Sequence, residues 1–176
     1  GEPPNHPVAR AIAHANQSHS LTRRHLTRLL DAREAELVTK QPRDIEELRL
    51  YAERTAGSLL LLGLECAGVS NSEAAENAAA HAGTALGLAT LLRGTAAHAQ
   101  QGSTYLPADV TTRHKANLSQ LLRGNASAEI CAAVREVADE AVAHLLAARS
   151  LQPNVPADAR KVLLPTVVAD HILQRL

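Results

Sequence analysis

Residues 81–94 read HAGTALGLATLLRG. Apolar and small residues follow one another there without the alternation of a strand, and the run sits in an Ala-rich stretch that predicts a helix over 72–98. Gly83 and Gly87 stand four apart and share one face of it. A face without side chains lets a neighbouring helix approach closely, so the stretch predicts a helix held tightly inside an all-α bundle. The preceding break, GVSNSEAAEN (68–77), offers Ser70 and Glu73 as a cap.

Helical signals continue on both sides. Pro7 suits the first turn of a short helix over 8–15, ahead of the polar NQSHS at 16–20. Ser20 is then the expected cap of a helix running to about 37, with Leu26, Leu30, Arg33 and Leu37 on one side and Arg33 and Glu34 at its rim. In QPRDIEEL (41–48), Pro42 stops one helix and Asp44 starts another, with Glu47 placed to complete a capping box. The helix that follows, to 67, is apolar all round over 56–64 and is expected to be buried on every side. After a loop closed by Tyr105, Leu106 and Pro107, a helical turn around 109–114 precedes NLSQLLRGN (117–125). Ile130, Val134, Val137, Ala141 and Leu145 form an apolar stripe opposite Arg135, Asp139 and Arg149. A last helix from 157 meets Pro165, which should kink or split it. No strand pattern competes, and no repeat or low-complexity segment divides the chain. Residues 1–176 therefore read as a single all-α, bundle-like domain.

Composition excludes several functions. Tyr51 and Tyr105 are the only aromatics, so the core must be built from Leu, Ala, Val and Ile, and each tyrosine is expected to supply bulk and a tethering hydroxyl. Eighteen basic residues balance eighteen acidic ones without a long basic run, which argues against a nucleic-acid partner. The longest apolar run, 55–64, is ten residues, whereas crossing a bilayer takes about 20; an integral membrane protein is not expected. Cys66 and Cys131 lie in apolar helical patterns and read as buried free thiols of a reducing compartment. The opening GEPPNHPVAR has neither an initiator Met nor a signal-like apolar region, as expected of a processed mature chain or a fragment. Residue types for Ser-His-Asp catalysis occur, but no nucleophile elbow frames them.

Three segments, ELRLYAERTAGSLLLLGLE (47–65), HAGTALGLATLLRG (81–94) and GSTYLPADV (102–110), resemble the squalene/phytoene synthase family in order and spacing. That resemblance implies an all-α prenyltransferase fold in which Tyr51, Gly57, Gly83, Gly87, Tyr105, Leu106 and Pro107 belong to the structural frame. It also implies an enzyme holding Mg²⁺ and a diphosphate between two Asp-rich motifs, the second reading close to NxxRDxxEDxxxGRxYLP. Set on this chain, that pattern puts its Asn on Thr90, its Arg on Arg93, its first Asp on Gly94, its Glu and second Asp on Ala97 and His98, and its later Arg on Ser103. Only Arg93, Gly102, Tyr105, Leu106 and Pro107 match.

Mg²⁺ takes hard oxygen ligands. Gly94 and Ala97 have none, His98 offers nitrogen, and Ser103 cannot neutralise a phosphate as an Arg would. No second carboxylate pair is expected to face this helix, and the family's first Asp-rich helix would lie upstream of the chain, which makes the fold N-terminally shortened. His98 is expected to be a locally hydrogen-bonded residue near a helix end. A zinc site is not expected, because His81 lies seventeen residues before His98 and neither Cys has ligand spacing. Arg93 is expected to pack and ion-pair rather than to grip an anion.

The departures also have a direction. LLRGTAAHAQQGSTYLPAD (91–109), SLTRRHLTRLLDAREAEL (20–37) and HLLAARS (144–150) resemble a non-catalytic branch of the family, the mitochondrial assembly factors of respiratory complex I. Leu92, Arg93, Thr95, His98, Leu106, Pro107 and Asp109 carry that likeness. It implies a pseudoenzyme without metal or cofactor, a peripheral position on the matrix side of the mitochondrial inner membrane, and partners among the subunits or assembly intermediates of a respiratory complex. A permanent accessory subunit of a mitochondrial membrane complex is the competing reading, and an active prenyltransferase ranks third.

Overall fold

The helix over 73–93 buries mainly Ala and Gly, and the rest of the chain is arranged around that property. The structure, a computed structural model, describes residues 4–38, 41–69 and 71–176. In chain order it contains α1 (Pro7–His19), α2 (Arg23–Glu36), α3 (Ile45–Ala52), a π-helical turn (Glu53–Gly57), α4 (Ser58–Cys66), α5 (Glu73–Arg93), α6 (Thr95–Gln100), α7 (Ala108–Arg113), α8 (Leu118–Leu122), α9 (Ala128–Leu151), a 3₁₀ turn (Gln152–Asn154), α10 (Ala157–Arg160) and α11 (Pro165–Leu173). No strand occurs among the described residues. The all-α expectation holds.

Ser72 caps α5, its hydroxyl accepting from the Ala75 N–H at 3.3 Å. Of the expected cap, Ser70 lies outside the described residues and Glu73 is the first helical residue. The single helix expected to 98 breaks at Gly94, between α5 and α6. From 78 to 89 no residue of α5 is exposed, because α3, the π turn, α4, α9 and α11 surround it. The closest approach is at the glycines. A Cβ on Gly83 would lie 2.4 Å from the Gly57 Cα, and one on Gly87 would lie 2.8 Å from the Ala52 Cβ. Gly57 ends the π turn, in which the Ser58 N–H reaches the Glu53 carbonyl instead of stopping one residue short. What reads as one helix to 67 is thus two α-helical segments joined by a wider turn that lies against α5.

Several local expectations change. α1 runs through NQSH to His19, and Ser20 ends it with a left-handed φ of 51°, so Ser20 is a C-cap and not the start of α2. Leu30 and Leu37 are 68% and 81% exposed; α2 turns Leu26, Leu29 and the buried Ala32 inward instead. Leucines occur on two faces of that helix, and the small Ala32 is the residue that the crowded side accepts. Asp44 caps α3 as expected, accepting from the Glu47 N–H at 2.8 Å, but Glu47 turns back to the Arg43 N–H at 2.7 Å, one residue beyond the usual capping-box donor. α4 is not buried on every side, since Leu59 is 54% exposed; the enclosed helix is α5. Cys66 and Cys131 are exposed, not buried.

The stripe on α9 buries Ile130, Val137, Ala141 and Leu145, while Val134 is half-buried and Ala133 fills the core position beside it. Pro165 splits the last helix and opens α11. Among the described residues three apolar clusters result, one around Leu48, Leu88, Leu106, Val110 and Val137, a second around Leu60, Leu64, Ala78, Ala82 and Val155, and a small third of Ala89, Ala169 and Ile172.

Gly83→Ala is expected to lower stability by about 1–3 kcal/mol or more, because the added methyl meets backbone that cannot swing away. The exposed Arg135→Ala should change it by less than about 0.5 kcal/mol. Urea unfolding of both variants checks the difference.

Candidate functional site

Beyond α6, residues 103–109 form a wall pinned to the start of α3. The Ala108 N–H donates to the Pro42 carbonyl at 2.9 Å and the Asp109 N–H to the Arg43 carbonyl at 3.0 Å. The Gln41 side chain donates to the Leu106 carbonyl at 3.0 Å. Leu106 is buried in the core, and Pro107 sets the extended backbone from which α7 starts. Anchored in this way, Tyr105 points toward α2 and α3.

There it meets Tyr51 and a carboxylate. The tyrosine rings lie 5.7 Å apart, centroid to centroid. Both hydroxyls donate to Glu36 of α2: Tyr105 to Oε1, and Tyr51 to Oε2 at 2.8 Å. Arg33 donates to the same Oε2 at 2.9 Å and to the Tyr51 hydroxyl at 2.7 Å. Burial and the Glu36 carboxylate hold the Tyr51 hydroxyl well above the usual phenol range, with the Arg33 charge opposing. These groups border a cavity of about 320 Å³, lined among others by Ala32, Ala35, Glu36, Tyr51, Ser103 and Tyr105. Glu47 also lines it, and its Oε2 is engaged by the backbone and side chain of Arg43.

Of the positions matched to the diphosphate motif, Thr90 and Arg93 lie on α5, Ala97 and His98 on α6, and Gly94 between them. Thr90, Arg93 and Ala97 are exposed, and Arg93 makes no ion pair among the described residues, contrary to the packing and pairing role expected of it. His98 is half-buried, and its ring is not locally hydrogen-bonded: Nδ1 is buried without a partner among the described residues, and the imidazole meets the Tyr105 ring edge-on at 4.7 Å. A Cβ at Gly94 would come within 2.6 Å of the His98 Cε1, so the ring occupies the direction in which a side chain at 94 would project. Ser103 donates its hydroxyl to the His98 carbonyl at 3.3 Å. The structure brings Tyr51, His98, Ser103 and Tyr105 together and leaves Thr90, Arg93 and Ala97 at the surface.

Glu36 is the group that the sequence reading missed. The expectation of no second carboxylate pair facing the helix says nothing of a single carboxylate on this wall, where Glu36 reaches Tyr105 across 69 residues of chain. Its spacing of three from Arg33 announced an ion pair on a helix surface; nothing local announced the tyrosines.

A helical wall, a closing Tyr-Leu-Pro segment and a cavity between them define the class, and the squalene/phytoene synthase family model matches residues 1–176. The chain belongs to that family. It is 40% identical over 174 residues to the mouse NADH dehydrogenase (ubiquinone) complex I assembly factor 6, covering 99% of this chain and 52% of that protein. The human counterpart is 37% identical over the same length and coverage. The Drosophila melanogaster homolog is 38% identical over 173 residues, covering 97% of this chain and 51% of that one. The chain thus spans about half the length of these relatives. Among solved structures it is similar to the squalene synthase HpnC from Alicyclobacillus acidocaldarius, with a TM-score of 0.84 at 22% identity over 96% of this chain and 64% of that one. It is also similar to a dehydrosqualene synthase, with a TM-score of 0.79 at 22% identity over 95% of this chain and 59% of the other.

Tyr51→Phe removes a donor to Glu36 and is expected to cost about 1 kcal/mol at neutral pH. The Tyr51 hydroxyl has a folded-state pKa above that of the unfolded chain, about 10. Its contribution is therefore whole below about pH 10 and is lost as the pH rises beyond it. Melting temperatures from pH 8 to 11 should fall more steeply for wild type than for Tyr51→Phe.

Proposed function

We propose that this protein is a non-catalytic member of its family, a single helical domain that acts by protein contacts in the assembly of respiratory complex I. The observation that carries the reading is at Gly94. In the family pattern, positions 94 and 98 hold two carboxylates one turn apart, which can bridge Mg²⁺ to a diphosphate. Here the side chain at 98 is an imidazole and lies across the space beside 94. Ala97 is a methyl at the surface, and Ser103 brings no positive charge. These residues do not fit Mg²⁺, and no metal-dependent step is assigned to them.

The carboxylates that do border the cavity are already engaged: Glu36 by two tyrosines and Arg33, Glu47 by Arg43. What the wall retains is architecture. The 40% identity to a complex I assembly factor supports the choice of partner class, namely subunits or assembly intermediates of that complex on the matrix side of the mitochondrial inner membrane. No described helix is long and apolar enough to cross a membrane.

Calorimetric titration with farnesyl diphosphate is expected to show no Mg²⁺-dependent binding; tight binding abolished by a chelator would defeat the non-catalytic reading. In cells, depletion should lower assembled complex I on native gels and leave isoprenoid products unchanged. Carbonate or high salt should release the protein from mitochondrial membranes. Stoichiometric retention in the finished complex would make it an accessory subunit instead.

A further inference from the structure

The seam between α5 and α9 carries two histidines outside the site described above. His81 and His144 bring their Nδ1 atoms within 2.9 Å of each other, with ring centroids 5.0 Å apart. Both are half-buried, the His144 side chain being 14% exposed. Two imidazole nitrogens at that distance share one hydrogen, so one Nδ1 is a donor and the other is bare. The far end of His144 decides which. Its Nε2 faces Glu140 Oε1 at 3.4 Å, and a carboxylate only accepts, so Nε2 carries the hydrogen and Nδ1 is the bare acceptor. His81 is then the donor.

His81 can take a second proton on Nε2 with the contact intact. The pair can therefore accept one proton and keep a single hydrogen between the two Nδ1 atoms, whichever ring carries the charge; a further proton makes both Nδ1 atoms donors, and two N–H groups would then face each other across the seam. We propose that the His81–His144 contact is an acid-released catch between α5 and α9, closed while one of the two Nδ1 atoms is bare and opened when acid protonates both.

The charges around the pair are few. On α9, Glu140 favours a protonated His144; on α3, Arg49 opposes it, and Arg49 is itself clamped by Glu46 and by Glu53 of the π turn. Glu46 feels the His144 charge in turn. α11 packs on both helices, where Asp170 is held by Arg149 and His171 is exposed. Burial first, then His81 and Arg49, hold His144 below the ordinary imidazole range, with Glu140 acting against them. A histidine whose folded-state pKa lies under its unfolded value of about 6.5 contributes fully above that pH and loses its contribution as the pH falls below it. The catch therefore opens on the acid side. Because α5 is the helix the others surround, opening there loosens the centre of the bundle.

Urea unfolding of wild type and His144→Asn between pH 7.5 and 5 tests this, since asparagine places a non-titrating carbonyl near the Nδ1 position. Below about pH 6.5 the folded-to-unfolded ratio of wild type is expected to fall by up to about tenfold per pH unit more than that of the variant, the effect of one proton. Equal slopes overturn the proposal. A second measurement uses wild type alone: NMR titration of the His144 ring together with amide exchange at α5 and α9. A midpoint below 6.5, accompanied by loss of protection in the turns facing His81 and His144, is the expected result. A midpoint at or above 6.5, or titration with that protection unchanged, overturns the catch.

Discussion

The contact between Gly83 and Gly57 leaves no room for a Cβ on α5, because one would sit 2.4 Å from the Gly57 Cα. Backbone therefore rests on backbone where α5 crosses the π turn. Gly87 repeats the arrangement one turn on, against Ala52. This spacing sets how near α3 and α4 stand to the centre of the bundle. It also places Tyr51, on the turn of α3 just before the π segment, at the edge of the cavity. An alanine-rich helix makes such crowding possible, since dispersion contacts accumulate when backbones come close, and little side-chain entropy is lost in ordering Ala and Gly.

The second constraint is the pinning of residues 103–109 to Pro42 and Arg43. It carries Tyr105 to Glu36 and thereby ties α2, α3 and the wall into one polar knot. Three donors share the two oxygens of Glu36. A half-buried carboxylate satisfied in this way is a tether, and it shapes the cavity without being available as a ligand. Beside it, the His98 ring packs on Tyr105 and over Gly94, so the same wall that closes the bundle also fills the space next to position 94. The seam with α9, on another side of α5, is closed by a hydrogen bond between histidines whose strength depends on a proton. The bundle thus combines an apolar, shape-determined centre with polar ties whose chemistry can be altered separately.

The fold was legible because its signals are local. Periodicity marks α9, Asp44 marks the start of α3, Pro165 marks the start of α11, and the four-residue spacing of Gly83 and Gly87 marks a close helix contact. Each of these acts within one or two turns of its own residue. The misreadings arose where two local signals competed. Ser20 can cap either end of a helix, and it closes α1; the leucines of α2 suit two faces, and Ala32 faces inward because the π turn and α4 crowd that side. The exposure of Cys66 and Cys131 has the same origin, since an apolar pattern identifies a helix more surely than it identifies which residue at the edge of the stripe is covered.

By itself, the sequence determined the all-α class, the order of the helices and the residues at 90–107 that mark the family, because helix formation, capping and residue type are properties of the chain over a few residues. Tertiary structure alone decided that Glu36 meets Tyr51 and Tyr105, that His98 lies over Gly94, and that His81 shares a hydrogen with His144. Those partners stand 15, 69 and 63 residues apart, or share a helical turn whose side-chain direction depends on the wall beside it. Their meeting depends on how closely two backbones pack, and the glycines permit that distance without specifying which side chains it brings together.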